Sequence, residues 1–335
     1  MEANVLWMVC AWLRRTRDDL QLWYWLEASV GLHCIRPLAL RWWGCGGLGR
    51  GPLGLAGGGC PGRYRKILAV LRHVEAEAGS SASKEIVGVC GTTVGAFHAA
   101  ANRFAMRSEG AWLKVAGGEK GELLDGLARR APLLGEGIGG GGGGAIALEL
   151  GCFIGYTAAR LGEVLRQRLA TGAGSCGSRG SALPEARIVS VEVDPVHAVV
   201  ARHFLDLVHL AVVVEVQPGF VRDVLPLCGE AFGWQALGLG FMDQKGTAFH
   251  ADHALLRGLR AWQPGAGAGC VADNVLRPGA PVYVWSLAQM ASGSDARVSS
   301  PTSAAVFWSL PEFLEESDGV EDWMALEDAP GARQY

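Results

Sequence analysis

Three side chains with oxygen donors follow two apolar runs in the second half of the chain. Asp243 comes directly after the run 237–242, and Asp273 with Asn274 comes after the run 267–272. If both runs are neighbouring parallel strands, their carboxyl ends meet at the sheet edge where open α/β proteins bind ligands. Two carboxylates and one amide oxygen form a hard donor set that suits Mg²⁺, although any one of these acids alone could be a structural cap.

A second group of residues surrounds a glycine turn. The apolar run 146–150 contains Glu149 and leads into Gly151 and Gly155, and a stretch with helical spacing follows. Strand, glycine turn and helix form the first unit of a nucleotide-binding sheet, in which a helix N-terminus faces the ligand. The turn is GxxxG rather than GxGxxG, which disfavours a dinucleotide and favours S-adenosylmethionine, since that ligand carries no pyrophosphate.

Glu192 closes the next strand-like run, 187–193, and Asp194-Pro195 follows it. Nucleotide sites of α/β sheets place a carboxylate at this position against the ribose hydroxyls. The alternative is an ordinary exposed acid at a strand end. The glycine turn one strand earlier favours the ribose interpretation.

The elements that must position these groups alternate along the chain. We predict helices around 63–74, 96–105, 195–210, 221–232 and 251–262, with His250 and His253 on the surface of the last one. Predicted strands cover 146–150, 187–193, 211–216, 237–242, 267–272, 304–309 and 320–326. This order predicts an α/β protein of Rossmann-like methyltransferase fold, with a mostly parallel seven-stranded sheet covered by helices on both faces.

Composition limits the class of protein. Half of the 335 residues are hydrophobic, so the chain can bury a large core, and its net charge of −3 gives no case for nucleic-acid binding. The nine cysteines are scattered without a CxxC pair. This usage favours reduced thiols over a disulfide framework or a zinc site, and we expect a cytoplasmic protein.

The first part of the chain differs in charge from the rest. Residues 1–72 contain ten Lys/Arg and four Asp/Glu, a balance of +6 that leaves −9 for the remainder. The apolar run 5–13 is too short to span a membrane, and its arginines follow it, unlike those of a secretory signal. We predict a poorly ordered basic leader over 1–62, with contact to a membrane surface as an alternative. One catalytic domain, 63–335, follows, with glycine-rich insertions at 135–144 and 170–184.

From about residue 63 onward the chain resembles the catechol O-methyltransferase family. The similar stretches are Trp112 with Lys120-Gly121 at the family spacing, LELGCFIGY, VEVDP, the strand end at Asp243, VADNVLRPGAP and SLPEFLEESDGVE. The string ADNV-x-x-PGAP is quite specific, whereas many methyltransferases share the glycine turn.

This resemblance implies a monomeric, Mg²⁺-dependent enzyme that transfers a methyl group from S-adenosylmethionine to one hydroxyl of a catechol. It implies that the metal is held by Asp243, Asp273 and Asn274. It implies that the substrate is contacted by Trp112, Asn274, Pro278 and Glu312, the last of which could instead be a surface acid. The implied cofactor residues are Lys114, Ala116, Glu149, Gly151, Phe153, Tyr156, Thr157, Glu192, Val193, Gly219, Arg222, Asp243 and Gln244.

The catalytic base is where the chain departs from the family. The family pattern after the metal aspartate is His-Trp-Lys, whereas this chain has Gln244-Lys245-Gly246, so the lysine is one position early and the tryptophan is missing. We predict Lys245 as the base, delivered by a loop shift at Gly246; the alternative is a lysine that faces solvent. Arg222 and Pro311 also replace family residues, near the adenine and at the substrate rim.

Two other functions stay open. One is a catalytically silent relative that binds S-adenosylmethionine and serves as an interaction module. The other is an O-methyltransferase for other vicinal diols, such as phenylpropanoids. An NAD-dependent oxidoreductase is disfavoured because GxGxxG is absent.

Overall fold

The computed structural model describes residues 62–82, 93–131, 146–172, 187–232, 236–262, 268–291, 308–314 and 321–328. The predicted leader up to residue 61, the predicted insertion at 135–144 and residues 173–184 of the second predicted insertion lie outside this set. Residues 304–307 of the predicted sixth strand also lie outside it.

Three helices precede the first strand: α1 (Gly62–Ala82), α2 (Val94–Ala105) and α3 (Gly118–Arg130). Strands and helices then alternate as β1 (Ile146–Leu150), α4 (Tyr156–Gly172), β2 (Arg187–Glu192), α5 (Pro195–Leu207), β3 (Val214–Pro218), α6 (Val221–Phe232), β4 (Leu237–Met242), α7 (Phe249–Gly258), β5 (Gly269–Ala272) and α8 (Pro281–Ala291). Four short strands follow, β6 (Trp308–Ser309), β7 (Glu312–Leu314), β8 (Glu321–Trp323) and β9 (Ala325–Asp328).

The main sheet has seven strands in the order β3-β2-β1-β4-β5-β9-β6, and β7 pairs with β8 separately. The first five strands run parallel, and β9 is antiparallel to both of its neighbours. The predicted α/β fold with a mostly parallel sheet is therefore confirmed. Strand order reverses at β1, so the carboxyl ends of β1, β2 and β4 surround the position where such sheets bind ligands.

Alternate residues of each strand enter two different cores. On β1, Ala147 packs with residues of α1 to α5, whereas Leu148 and Leu150 pack with residues of α6, α7 and α8. The sheet is thus covered on both faces, as the chain order predicts. Glu149 lies on the Ala147 face, opposite Ser190 of β2 in the parallel register.

Several boundaries differ from the sequence prediction for local reasons. The third strand begins at Val214 rather than 211, because residues 211–213 form a turn in which Val213 N donates to Leu210 O at 3.0 Å. The predicted strand 320–326 is divided into β8 and β9 at Met324. No helix among the described residues is long and apolar enough to cross a membrane.

Candidate active site

The glycine turn joins the carboxyl ends of β1 and β4. Gly151 has φ +98°, and a Cβ added there would lie 2.7 Å from Gln244 N and 2.8 Å from the Asp243 carbonyl carbon. Asp243 N donates to Leu150 O at 2.8 Å. Only glycine permits both this backbone conformation and this approach. The turn therefore brings Asp243 and Gln244 directly beside Gly151.

Glu192 is buried, so it is not an ordinary exposed acid. Its carboxylate accepts hydrogen bonds from Phe153 N at 2.7 Å and from Asp194 N at 2.8 Å. These contacts hold the glycine turn against the end of β2. Each carboxylate oxygen keeps a second lone pair, so the group can still accept hydrogen bonds from a ligand hydroxyl.

Glu149 lies beneath the turn and is 1% exposed. Ser190 Oγ donates to its Oε2 atom, while Oε1 is buried without a hydrogen-bond partner among the described residues. Burial raises the pKa of Glu149 to about 8, and the nearby Glu192 charge adds to the effect. A buried acceptor with no partner is a position that a ligand N–H or O–H group would satisfy.

Val193, Gly219 and Arg222 follow the carboxyl ends of β2 and β3. Gly219 N donates to Glu192 O at 2.9 Å, which ties the two strand ends together. Val193 and Arg222 are exposed, and the Arg222 guanidinium lies 5.1 Å from the centre of the Phe220 ring. Residues of these two strand ends thus form one rim.

Residues 112–116 form another wall of the site. The half-buried Trp112 ring meets the Phe153 ring edge-on at 6.2 Å, which joins this segment to the glycine turn. Trp112 Nε1 is buried without a hydrogen-bond partner among the described residues. Ala116 is buried, whereas Lys114 is exposed.

Tyr156 and Thr157 are buried at the start of α4. The His98 ring lies 4.1 Å from the Tyr156 ring, and its Nε2 atom is 2.9 Å from Tyr156 O. Burial lowers the pKa of His98 to about 4, so this imidazole is neutral near pH 7. A neutral ring beside the turn adds no positive charge to the site.

The structure brings the three predicted metal ligands to one edge of the sheet. Met242 and Ala272 are register partners in β4 and β5, so the residues that follow them, Asp243 and Asp273, begin neighbouring loops. Asp273 N donates to Met242 O at 2.9 Å. Asn274 comes next, in the left-handed conformation with φ +56°.

Two residues that sequence reasoning did not assign to the site, Lys120 and Asp322, join this edge. Lys120 Nζ lies 2.8 Å from Asp273 Oδ1 and 2.9 Å from Asp322 Oδ2, and all three side chains are buried. Asp322 Oδ2 also accepts a hydrogen bond from Asn274 Nδ2 at 2.7 Å. The available signal was the position of Lys120, a basic residue among apolar positions at the start of α3.

The two aspartates shift in opposite directions although they share one ammonium group. Burial raises the pKa of Asp273 above its ordinary value, despite the opposing effect of Lys120. Burial would also raise the pKa of Asp322, but hydrogen bonds from Lys120 and Asn274 outweigh it and the pKa is lowered. The difference follows from the larger number of donors around Asp322.

The donor set is chemically suited to a divalent cation. Asp243, Asp273 and Asp322 carry three negative charges against one positive charge on Lys120, which leaves −2. The contacts described above use Asp273 Oδ1 and Asn274 Nδ2, so Asp273 Oδ2 and Asn274 Oδ1 remain as oxygen donors of the kind Mg²⁺ prefers. Among the described residues, no three His, Cys, Asp or Glu side chains form a metal-type cluster.

The loop after β4 contacts the loop after β5. A Cβ added to Gly246 would lie 2.7 Å from Gly279 O, so the segment that carries Lys245 packs against the segment that carries Pro278. Lys245 and Pro278 are both exposed. Gln244 is held in place, since its Nε2 donates to Asp252 Oδ2 at 2.9 Å while its buried Oε1 has no partner among the described residues.

Glu312 is exposed on β7, opposite Trp323 of β8. This strand pair lies next to the site through Asp322, which neighbours Trp323 on β8. The structure therefore places Glu312 on the same strand pair as a residue that contacts Asn274. Pro311 is half-buried immediately before it.

The prediction that His253 lies on a helix surface is wrong. His253 is 2% exposed, and its Nε2 atom lies 2.5 Å from Glu327 Oε2 of β9. Its ring also packs against Tyr283 with centroids 5.4 Å apart. This histidine belongs to the core beneath the β5–β9 edge, because α7 turns that face toward the sheet.

No family model matches the chain. The chain is 24% identical over 225 residues to catechol O-methyltransferase of Mus musculus, a match that covers 67% of this chain and 69% of that protein. It is 26% identical over 188 residues to catechol O-methyltransferase of Sus scrofa, covering 56% and 85%. A solved structure of the O-methyltransferase TomG from Streptomyces achromogenes, in complex with SAM, is 20% identical with a TM-score of 0.49 and covers 78% of this chain and 98% of that chain.

Proposed function

Because the chain is a homologue of the catechol O-methyltransferases, we propose that it is an S-adenosylmethionine-dependent O-methyltransferase that methylates one hydroxyl of a catechol with the help of Mg²⁺. The observation that carries this proposal is the contact between Gly151 and the backbone of Asp243 and Gln244. It puts the turn that would bind the methyl donor beside the oxygen donors that would bind the acceptor.

The methyl donor would be bound by the residues around the glycine turn. Glu192 would accept hydrogen bonds from the ribose hydroxyls, as acids at this strand end do in related nucleotide sites. Glu149 offers a buried acceptor with no protein partner among the described residues, and Trp112 with Phe153 forms an aromatic wall. Together these side chains would orient the sulfonium group toward the Asp243 edge.

The acceptor would be held at the edge formed by Asp243, Asp273 and Asn274. Mg²⁺ bound by these residues would lower the pKa of a coordinated hydroxyl. Lys245 would take the proton from that hydroxyl. The resulting phenolate oxygen would attack the methyl carbon in line, forming the O–CH₃ bond as the S–CH₃ bond breaks and its electron pair returns to sulfur. Holding oxygen and carbon in this alignment would supply much of the rate enhancement.

A transfer assay tests the proposal. Labelled S-adenosylmethionine is incubated with a panel of catechols, with and without EDTA, and methylated product is counted. We expect product from at least one catechol and loss of product with the chelator. Absence of transfer to every catechol would refute the acceptor class, and transfer that ignores the chelator would refute the metal.

The base is tested separately with Lys245→Ala and Lys245→Arg. If Lys245 removes the proton, both variants lose turnover near pH 7.5 while cofactor binding is retained, because arginine keeps the charge but cannot act as a base at that pH. A rate at the wild-type level in Lys245→Arg would show that only the positive charge matters.

A second candidate function is a catalytically silent relative that binds S-adenosylmethionine. The contact of Lys120 with Asp273 favours it, since an ammonium group already neutralises one of the proposed metal ligands. Calorimetry that detects cofactor binding, together with no turnover on any vicinal diol, would support this alternative over the enzyme.

A further inference from the structure

Asp322 connects three segments that are far apart in the sequence. Its Oδ2 atom accepts hydrogen bonds from Lys120 Nζ of α3 at 2.9 Å and from Asn274 Nδ2 at 2.7 Å. Its Oδ1 atom accepts one from Arg277 N at 2.9 Å. The residue is 1% exposed, so water does not compete for these contacts.

These contacts determine which way the Asn274 amide faces. An ionised carboxylate only accepts hydrogen bonds, so the amide atom that meets Asp322 must be the NH₂ group. The Asn274 backbone is fixed as well, because its N–H donates to Asp273 Oδ1 at 2.7 Å. The amide oxygen of Asn274 is therefore directed away from Asp322.

Asp322 also shares the Lys120 ammonium with Asp273. Two carboxylates close together in a buried site repel each other, and the ammonium between them offsets that repulsion. Because Lys120 contacts only Oδ1 of Asp273, the Oδ2 atom stays outside the ion pair. Asp322 thus leaves one oxygen on each of two neighbouring residues as an acceptor.

We propose that Asp322 is a positioning residue, which holds the Asn274 amide with its oxygen turned toward the edge where a divalent cation would be bound. The inference rests on the proposed function, which supplies the cation. Residues that orient metal ligands through hydrogen bonds typically change metal affinity by about 10- to 100-fold when they are replaced.

The substitution Asp322→Asn tests this role by changing hydrogen-bond polarity with little change in shape. The new amide presents an NH₂ group either to Arg277 N–H or to Lys120 and Asn274, all of which are donors. In the second arrangement the Asn274 amide must turn over and offer its oxygen to residue 322. The metal edge would then lose an oxygen ligand.

The experiment is a titration of the full chain with Mn²⁺, followed by electron paramagnetic resonance of the free ion, without substrate. We expect Asp322→Asn to bind Mn²⁺ about 10-fold more weakly than wild type. The control, Asp328→Asn, makes the same charge change at an exposed position at the end of β9 and is expected to bind as wild type does. Binding of S-adenosylmethionine and the melting temperature are measured on the same samples.

An exchange variant, Asp322→Asn with Asn274→Asp, separates positioning from simple stability. It restores the hydrogen bond with donor and acceptor reversed, and a carboxylate at 274 offers an oxygen to the metal in either orientation. We expect it to bind Mn²⁺ more tightly than the single variant. If the single variant does not fold, the exchange variant is compared with wild type, and a Kd more than tenfold higher overturns the inference.

The outcomes are distinguishable. Wild-type affinity in Asp322→Asn overturns the positioning role and leaves the proposed metal in place, and so does an exchange variant that binds as weakly as the single variant. Absence of Mn²⁺ binding by the wild-type protein overturns both the metal part of the proposed function and this inference. Weakened binding with recovery in the exchange variant supports it.

Discussion

Replacing Glu149 with Gln is expected to make the protein more stable than wild type as the pH rises. Burial raises the pKa of Glu149 from 4.5 to about 8, so the folded protein keeps a proton there that the unfolded chain releases. The stability that this proton contributes is fully present below about pH 4.5 and is lost as the pH rises toward 8. Across that range the loss amounts to roughly 5 kcal/mol.

Glutamine has the shape of the protonated acid and does not titrate. Its oxygen can accept the hydrogen bond from Ser190, and its NH₂ group takes the place of the Oε1 atom that has no partner among the described residues. We therefore expect the variant to differ little from wild type at pH 5. Its advantage in unfolding free energy should then grow by several kcal/mol, on the order of the wild-type loss, by pH 8.

The assay is urea unfolding of wild type and Glu149→Gln at pH 5, 6, 7 and 8 without cofactor. Glu230→Gln, at an exposed position of α6, makes the same chemical change and should show no pH-dependent difference from wild type. A difference between Glu149→Gln and wild type that stays constant within about 1 kcal/mol over this range would refute the reasoning, because one raised pKa requires a slope.

Three further substitutions test other parts of the structure by unfolding experiments. Lys120→Met removes the cation between two buried carboxylates and should cost about 3–5 kcal/mol at pH 7.5; an unchanged urea midpoint would contradict that ion pair. Gly151→Ala should lower the melting temperature and weaken cofactor binding because of its positive φ and a 2.7 Å approach, whereas Gly126→Ala on α3, where a Cβ meets nothing within 4 Å, should be neutral or stabilising. Glu327→Gln should cost about 1–3 kcal/mol because it weakens the buried contact with His253, and wild-type stability would show that this contact contributes nothing.

Much of the fold follows from patterns that are local in the sequence. The helix predicted at 221–232 and the strand predicted at 237–242 have those bounds in the structure, as α6 and β4. Helical spacing and uninterrupted apolar runs report directly on which side of an element is buried. Boundaries set by turns were less predictable, as at Val214, because a few hydrogen bonds decide where a strand begins.

The sequence by itself determined the sheet, the glycine turn and the meeting of Asp243, Asp273 and Asn274, because the carboxyl ends of parallel strands share one edge. Only the tertiary structure decided that Lys120 and Asp322, 202 residues apart, would be buried together against that edge. Burial of an ion pair depends on the packing of distant segments, which no local pattern records. That packing also turns the amide of Asn274.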